Sequence, residues 1–144
     1  MVVFIDDVKA FQEFEKIKQT FIPTKFITVK NNTAWKKIKI KQGWYKFQSE
    51  TSIWVYEHYV NNVLHKDVGP ARIEMLLPDD KIVYSVDYYQ NGELHNLNGP
   101  ASIYTDGPNE IFYIYAIEGV EMSKQTFLCH PKVLNQKINS ILSL

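Results

Sequence analysis

The chain has 144 residues, a formal net charge of zero, 45% hydrophobic residues and 14% aromatic residues. This length fits a single domain, and the aromatic content favours strands over long helices. The single cysteine, Cys129, excludes an intramolecular disulfide and indicates a reducing compartment. The sequence shows neither a membrane-spanning apolar run nor a signal peptide, so we expect a soluble, cytoplasmic protein without a membrane partner.

Charge is distributed unevenly along the chain. Residues 1–48 hold ten Lys against four acidic residues, a balance of +6, whereas residues 49–144 hold six basic against twelve acidic residues, a balance of −6. This asymmetry predicts an electric dipole with a basic N-terminal third.

The first segment, residues 1–50, combines a predicted helix with basic strands. Apolar residues recur at helical spacing, at Val8, Phe11, Phe14, Ile17 and Phe21. Asp6 or Asp7 offers an N-cap, and Pro23 limits the length of the helix.

From Lys25 to Phe47 the period changes to two. The segment 25–30 and the segment Trp35–Lys41 predict two strands joined by a turn at Asn31-Asn32, and Trp44–Phe47 predicts a third. The lysines of the second strand would form one solvated face of a hairpin or meander.

A duplication organises residues 53–122. Residues 61–75 (NNVLHKDVGPARIEM) and 91–105 (NGELHNLNGPASIYT) align without a gap at an offset of 30. Fixed-period similarity is typical of stacked supersecondary units. The positions that we interpret as structural elements of the repeat are His65, Gly69, Pro70, Asn91, Gly92, His95, Gly99 and Pro100.

Each unit predicts a strand, an Asn-containing type I′ turn, a Leu-His pair, a polar connection and a second strand that follows Gly-Pro-Ala. Ile53–Val60 is the first strand of the array. Two further turns, at Pro78-Asp79-Asp80 and Asp106-Gly107-Pro108, would close the intervening hairpins.

A third, incomplete unit begins at Ile111 and has Glu118-Gly119 as its turn. Residues 123–144 then predict a helical cap, with a short helix after Ser123 and a last helix with Pro131 at position N1. The predicted apolar side of that last helix comprises Val133, Leu134, Ile138, Ile141 and Leu142.

The pattern Asn-Gly-x-Leu-His-x-x-x-Gly-Pro-Ala resembles repeats found in many bacteriophage and giant-virus proteins of unassigned function. The match covers Ile53 to Val133, and the second unit carries the full motif. The units are more distantly similar to MORN repeats. The resemblance implies a viral accessory protein with short antiparallel hairpins, and it implies no catalytic residues.

His65 and His95 share one repeat position, which raises the question of a metal or acid–base site. We predict instead that each ring forms a hydrogen bond to a turn or to the Gly-Pro corner, because a residue repeated in every unit meets a need of every unit. We therefore expect no metal and no cofactor.

The segment Lys25–Lys46 interleaves seven Lys with aromatic residues and contains no acidic residue. Such a surface can bind single-stranded nucleic acid, with Lys on phosphates and rings on bases. The residues that would serve this alternative function are Lys36, Lys37, Lys39, Lys41 and Trp44. The other interpretation is that the rings pack inward and the lysines are solvated.

Cys129-His130 suggests a nucleophile and a base, but the sequence indicates neither an orienting carboxylate nor an oxyanion hole. We expect a buried thiol. Asp79, Asp80 and Asp87 lack an accompanying cation-binding motif. The sequence therefore predicts a protein that is not an enzyme.

The sequence as a whole predicts an α+β fold, with antiparallel β-hairpin repeats in a twisted sheet and a helix packed on it from each end of the chain. We predict a viral accessory protein that binds a host protein, to inhibit a host defence or to redirect host machinery. Nucleic-acid binding and a structural role in the virion are the alternatives. The predicted protein-binding side chains are Tyr56, Tyr59, Tyr88, Tyr89, Tyr113 and Tyr115.

Overall fold

The structure is a computed structural model that describes residues 5–21, 25–48, 53–76, 82–105 and 110–143. Its helices are α1 (Ile5–Thr20), α2 (Asn32–Lys37), α3 (Lys124–Leu128) and α4 (Pro131–Leu142). Its strands are β1 (Phe26–Val29), β2 (Gly43–Gln48), β3 (Ile53–Val60), β4 (Val63–Leu64), β5 (Arg72–Leu76), β6 (Ile82–Asp87), β7 (Tyr89–Gln90), β8 (Glu93–Leu94), β9 (Ser102–Thr105), β10 (Ile111–Ile117) and β11 (Val120–Met122). None of the helices in these ranges has the length and apolarity needed to cross a membrane.

The predicted α+β class is confirmed. Eight strands follow one another across the main sheet in the order β1-β2-β3-β5-β6-β9-β10-β11, and β4 pairs with β3 as the ninth. Strands β7 and β8 form a separate pair. All pairs are antiparallel except β1 with β2.

One face of the sheet is apolar and is covered by α1. Tyr56, Ile73, Val86 and Ile103 lie directly opposite one another on β3, β5, β6 and β9. Phe14 is fully buried in the cluster around them, and Ala10 is buried beside it. The predicted helix is therefore present, with two differences. It begins at Ile5, so Asp6 and Asp7 lie in its first turn, and Val8 is exposed. Pro23 lies outside the described residues.

The predicted strand at Trp35–Lys41 is wrong. Asn31 caps α2 by accepting a 2.8 Å hydrogen bond from the amide of Ala34, and Trp35 packs edge-on against Tyr45 and Phe47. Strands β1 and β2 are parallel, so a hairpin cannot join them and the chain must cross over, as it does through α2. The predicted strands at 25–30 and 44–47 are present.

The two repeated segments have the same succession of local structure, from the turns at 61–62 and 91–92 to the strands at 72 and 102. Asn61 and Asn62 have φ of 48° and 70°, and Asn91 and Gly92 have 53° and 82°. These positive values are those of the predicted type I′ turns. Glu118-Gly119 forms the third turn. The predicted turns at 78–80 and 106–108 lie outside the described residues.

The C-terminal helices pack against the last hairpin. The predicted short helix after Ser123 is present, and Ser123 caps it by accepting a hydrogen bond from the amide of Thr126. Pro131 occupies N1 of α4, as predicted. Phe127 and Val133 form a second core cluster with Tyr115 and Ile117 of β10.

Candidate functional site

Successive units are joined by their turns. The amide of Gly92 donates a 2.8 Å hydrogen bond to the carbonyl of Leu64, and the amide of Asn91 donates a 2.9 Å bond to Nδ1 of His65. We call this pair of hydrogen bonds the turn clamp. It holds the turn of one unit on the Leu-His segment of the unit before it.

The turn clamp recurs at the next unit. The amide of Gly119 donates to the carbonyl of Leu94 over 3.0 Å, and the amide of Glu118 donates to Nδ1 of His95 over 2.9 Å. Each repeated histidine thus binds the turn backbone of the following unit. This is the structural role that the sequence indicates for His65 and His95.

A third clamp lies N-terminal to the recognised repeat, and the repeat pattern does not predict it. The amide of Asn62 donates to the carbonyl of Lys41 over 2.9 Å, and the amide of Asn61 donates to Oε1 of Gln42 over 2.8 Å. Gln42 thus takes the place of the histidine. The signal in the sequence is weak, because an amide oxygen replaces a ring nitrogen and no Gly-Pro-Ala follows.

The turn clamp fixes the tautomer of both rings. Because Nδ1 accepts a hydrogen bond, the proton of the neutral ring lies on Nε2. In His65 this Nε2–H donates to Oδ1 of Asp67 over 2.6 Å. A ring in this state cannot offer Nε2 to a metal or act as a base there. Across the part of the chain that the structure describes, no three His, Cys, Asp or Glu side chains form a metal-binding group.

The second face of the sheet carries a row of polar side chains. Glu57, Arg72, Asp87 and Ser102 lie directly opposite one another on β3, β5, β6 and β9. Arg72 forms ion pairs with Asp87 at 3.1 Å, with Glu57 at 3.7 Å and with Glu74. The hydroxyl of Ser102 donates a 2.5 Å bond to Asp87. This network joins four strands.

The polar row and Glu74 together hold three carboxylates around one guanidinium. Burial raises the pKa of Glu57 and of Asp87, although Arg72 opposes the shift in both. A hydrogen bond to Glu74 and burial raise the pKa of Tyr84 to about 12. The carboxylates of the row are paired with Arg72 and therefore have a structural role in the sheet. Asp87 belongs to this network rather than to a cation site.

The six tyrosines predicted to bind a protein do not form one exposed surface. Tyr56 and Tyr115 are buried in the two core clusters, and Tyr88 packs at the apolar face beneath α1, where burial and Glu13 raise its pKa. The other three are half-buried on different parts of the sheet, at Tyr59, Tyr89 and Tyr113. This part of the predicted site is therefore wrong for the buried members.

The residues predicted to bind nucleic acid are also divided. Trp44 packs against Phe21 and His58 at the apolar core, on the opposite face of β2 from Tyr45 and Phe47, which pack against Trp35. Lys41 lies over the ring of Trp35, with its Nζ 4.5 Å from the ring centre. The three remaining lysines are exposed on or just after α2, at Lys36, Lys37 and Lys39.

Cys129 is exposed, so the prediction of a buried thiol is wrong. It lies at the C-terminal end of α3. The ring of His130 caps α4 by accepting a 3.1 Å hydrogen bond from the amide of Lys132. Each of the two residues thus sits at the end of a different helix.

Helix α4 exposes most of its apolar side chains. Leu134 is 44% exposed, Ile138 52%, Ile141 67% and Leu142 77%. Spacings of four, three and one residues place them on one side of the helix. We call these four residues the α4 stripe.

The α4 stripe faces away from the sheet. At ~100° per residue, Val133 lies about a third of a turn from the centre of the stripe, and Val133 is the residue that is buried against the body. The prediction that all five apolar residues pack on the sheet is therefore wrong for four of them. Large apolar side chains that remain exposed together are typical of protein-interaction surfaces.

No protein-family model, curated protein or solved structure matches the chain.

Proposed function

We propose that the protein is a non-enzymatic viral accessory protein that binds a host protein in the cytoplasm of the host cell. The observation that carries this proposal is the α4 stripe. Four adjacent aliphatic side chains in water represent an unfavourable free energy that a partner with a complementary apolar groove would remove. The motif resemblance to phage and giant-virus proteins supports the viral assignment.

The way in which α4 is attached to the rest of the protein suits the presentation of the α4 stripe to a partner. Its first turns are held by the buried Val133, by an ion pair of Lys132 with Glu118, and by a 3.5 Å hydrogen bond from Gln136 to Asn98. A helix fixed on one side keeps its opposite side in a defined orientation, which lowers the entropy cost of binding. Inhibition of a host defence and redirection of host machinery are both compatible with such a surface.

The test is an affinity capture of the tagged protein from lysate of bacterial host cells, nuclease-treated and untreated in parallel, read by mass spectrometry. The test variant carries Ile138→Asp and Ile141→Asp, which place charges in the stripe. The control is Asn139→Asp, which adds a charge to the polar side of the same helix. We expect one stoichiometric partner with the wild type and the control, and none with the double variant.

Two results would count against the proposal. If the double variant retains the partner, the stripe is not the binding surface. If recovery disappears with nuclease and with the substitution of Lys36, Lys37 and Lys39 by Glu, the function moves to nucleic acid, because phosphate contacts depend on these charges.

A further inference from the structure

His65 and His95 occupy equivalent positions, but their Nε2 atoms have different surroundings. Asp67 accepts the hydrogen bond from Nε2–H of His65. The equivalent position of the second unit is Leu97, which has no side-chain acceptor. Within the described ranges, no hydrogen bond involves Nε2 of His95. The second unit thus has a ring donor without the internal acceptor that the first unit supplies.

His95 lines two clefts, and Gln90 also belongs to the wall of both. The first, of about 360 Å³, lies between the polar connections of the two units and is bordered by Glu13 of α1 and Gln136 of α4. A volume of this order suits a small ligand.

The second cleft, of about 440 Å³, lies between the turns of the second and third units. Glu93 and Glu118 are among the residues that line it. Glu118 is paired with Lys132, which leaves Glu93 as the carboxylate of this cleft without a recorded ion pair among the described residues. The surroundings of His95 therefore combine one ring donor with amide and carboxylate acceptors.

These groups restrict the chemistry of a ligand. A group placed at His95 must accept a hydrogen bond from Nε2–H, which excludes a metal ion or an ammonium group at that atom. Glu118, Lys132 and Glu93 are the charged groups that act on His95, and their net negative charge opposes an anion there. A hydroxyl group can accept from the ring, and a neighbouring hydroxyl can donate to the carboxylate. Burial lowers the pKa of His95, which favours the neutral ring at neutral pH.

We propose that the clefts around His95 bind a neutral ligand of the saccharide class, with one hydroxyl on Nε2–H of His95 and another on Glu93. A free monosaccharide and the terminal sugar of a polysaccharide share this chemistry. The site is independent of the α4 stripe and goes beyond the proposed protein binding.

The test is a long-range proton–nitrogen NMR correlation of the imidazole rings in the full chain, at about pH 7.5, above the ordinary pKa of His. Glucose, galactose, mannose and N-acetylglucosamine are added separately, each followed by its short oligomers. We expect a saturable shift of the His95 ring signals, with the His65 signals unchanged. Tighter binding of an oligomer would assign the site to polysaccharide, and equal binding per molecule would assign it to the free sugar.

No shift of His95 with any of these sugars would overturn the proposal, as would parallel, non-saturating shifts of both rings. The variant His95→Gln sharpens the test, because Gln42 shows that glutamine can maintain the turn clamp. We expect about fivefold weaker binding, the typical value of one lost hydrogen bond, and unchanged binding in the matched control His65→Gln. Retained affinity in His95→Gln would also overturn the proposal. If that variant does not fold, the wild-type titration decides.

Discussion

Helices α1 and α4 carry similar apolar stripes in the sequence, yet the structure uses them in opposite ways. Helix α1 buries Ala10 and Phe14 in the core against the sheet. Helix α4 buries Val133 and exposes the four residues of the stripe. Helical periodicity therefore identifies an apolar side, whereas the neighbouring elements decide whether that side becomes core or surface.

Truncation of one apolar residue on each helix tests this difference in burial most strongly. Phe14→Ala leaves a cavity beneath the sheet and should lower the free energy of unfolding by about 3–5 kcal/mol. The matched change Ile138→Ala removes an exposed side chain and should alter it by less than about 0.5 kcal/mol. Urea denaturation measures both. Comparable losses for the two variants would mean that the stripe is buried in solution.

A smaller effect separates the two sides of α4 itself. Val133→Ala should lower the free energy of unfolding by about 1–3 kcal/mol, since this side chain fixes α4 to the last hairpin. Leu134→Ala, one residue further along, should have little effect. Amide hydrogen exchange should show the loss of protection in α4 of the first variant. The reverse ranking of the two variants would contradict the orientation of the helix.

A substitution outside both helices, at Gly92, tests the turn clamp. Gly92 has a φ of 82°, and a Cβ added there would lie 3.3 Å from Cγ1 of Val63. We expect Gly92→Ala to cost about 1–2 kcal/mol, because an L-residue is strained in this region. Thermal unfolding, with the exposed Ser140→Ala as control, measures the difference. A neutral result would show that this turn is not held in the left-handed conformation.

The smallest expected effect is a dependence of stability on pH through His95, which lies near α4. His95 binds the turn that contains Glu118, and Glu118 pairs with Lys132 of α4. Burial lowers the pKa of His95 below its ordinary value of 6.5. Between the folded pKa and pH 6.5, His95 binds more protons in the unfolded chain than in the folded chain. The contribution of the neutral His95 ring to the free energy of unfolding is therefore complete above pH 6.5 and is lost as the pH falls toward the folded pKa.

The variant His95→Gln cannot titrate at this position. We expect the free energy of unfolding of the wild type to decline relative to that of the variant as pH falls below 6.5. Denaturation at a series of pH values measures the two curves, and the carboxylates of the polar row contribute equally to both. Parallel curves would contradict the prediction.

Local signals allowed much of the fold to be predicted. Strand β3, the turns with Asn91 and Glu118, the cap at Ser123 and the start of α4 at Pro131 follow from neighbouring residues alone. The helix at Asn32–Lys37 could not be predicted from the alternation of Lys and Ile around it. Its formation depends on the parallel pairing of β1 with β2 and on the contact of Trp35 with distant rings, and both are tertiary effects.

The candidate site was less accessible to sequence reasoning. The tyrosines were identified by residue type, but their exposure depends on the face of the sheet and on the cover that α1 provides. The third turn clamp was missed because Gln42 replaces a histidine. The α4 stripe was recognised as apolar, but its direction depends on which side of α4 meets Phe127 and Tyr115.

The measurement that tests the central claim most directly is a photo-crosslinking scan along α4 in host cells. A photoreactive amino acid replaces one stripe residue at a time (Leu134, Ile138 or Ile141) or one residue of the polar side (Asn135 or Asn139). The two sets alternate along one helix, and both are exposed to solvent. We predict one protein adduct from the stripe positions and none from the polar positions. Adducts of equal yield from both sets, or none from the stripe, would contradict the account.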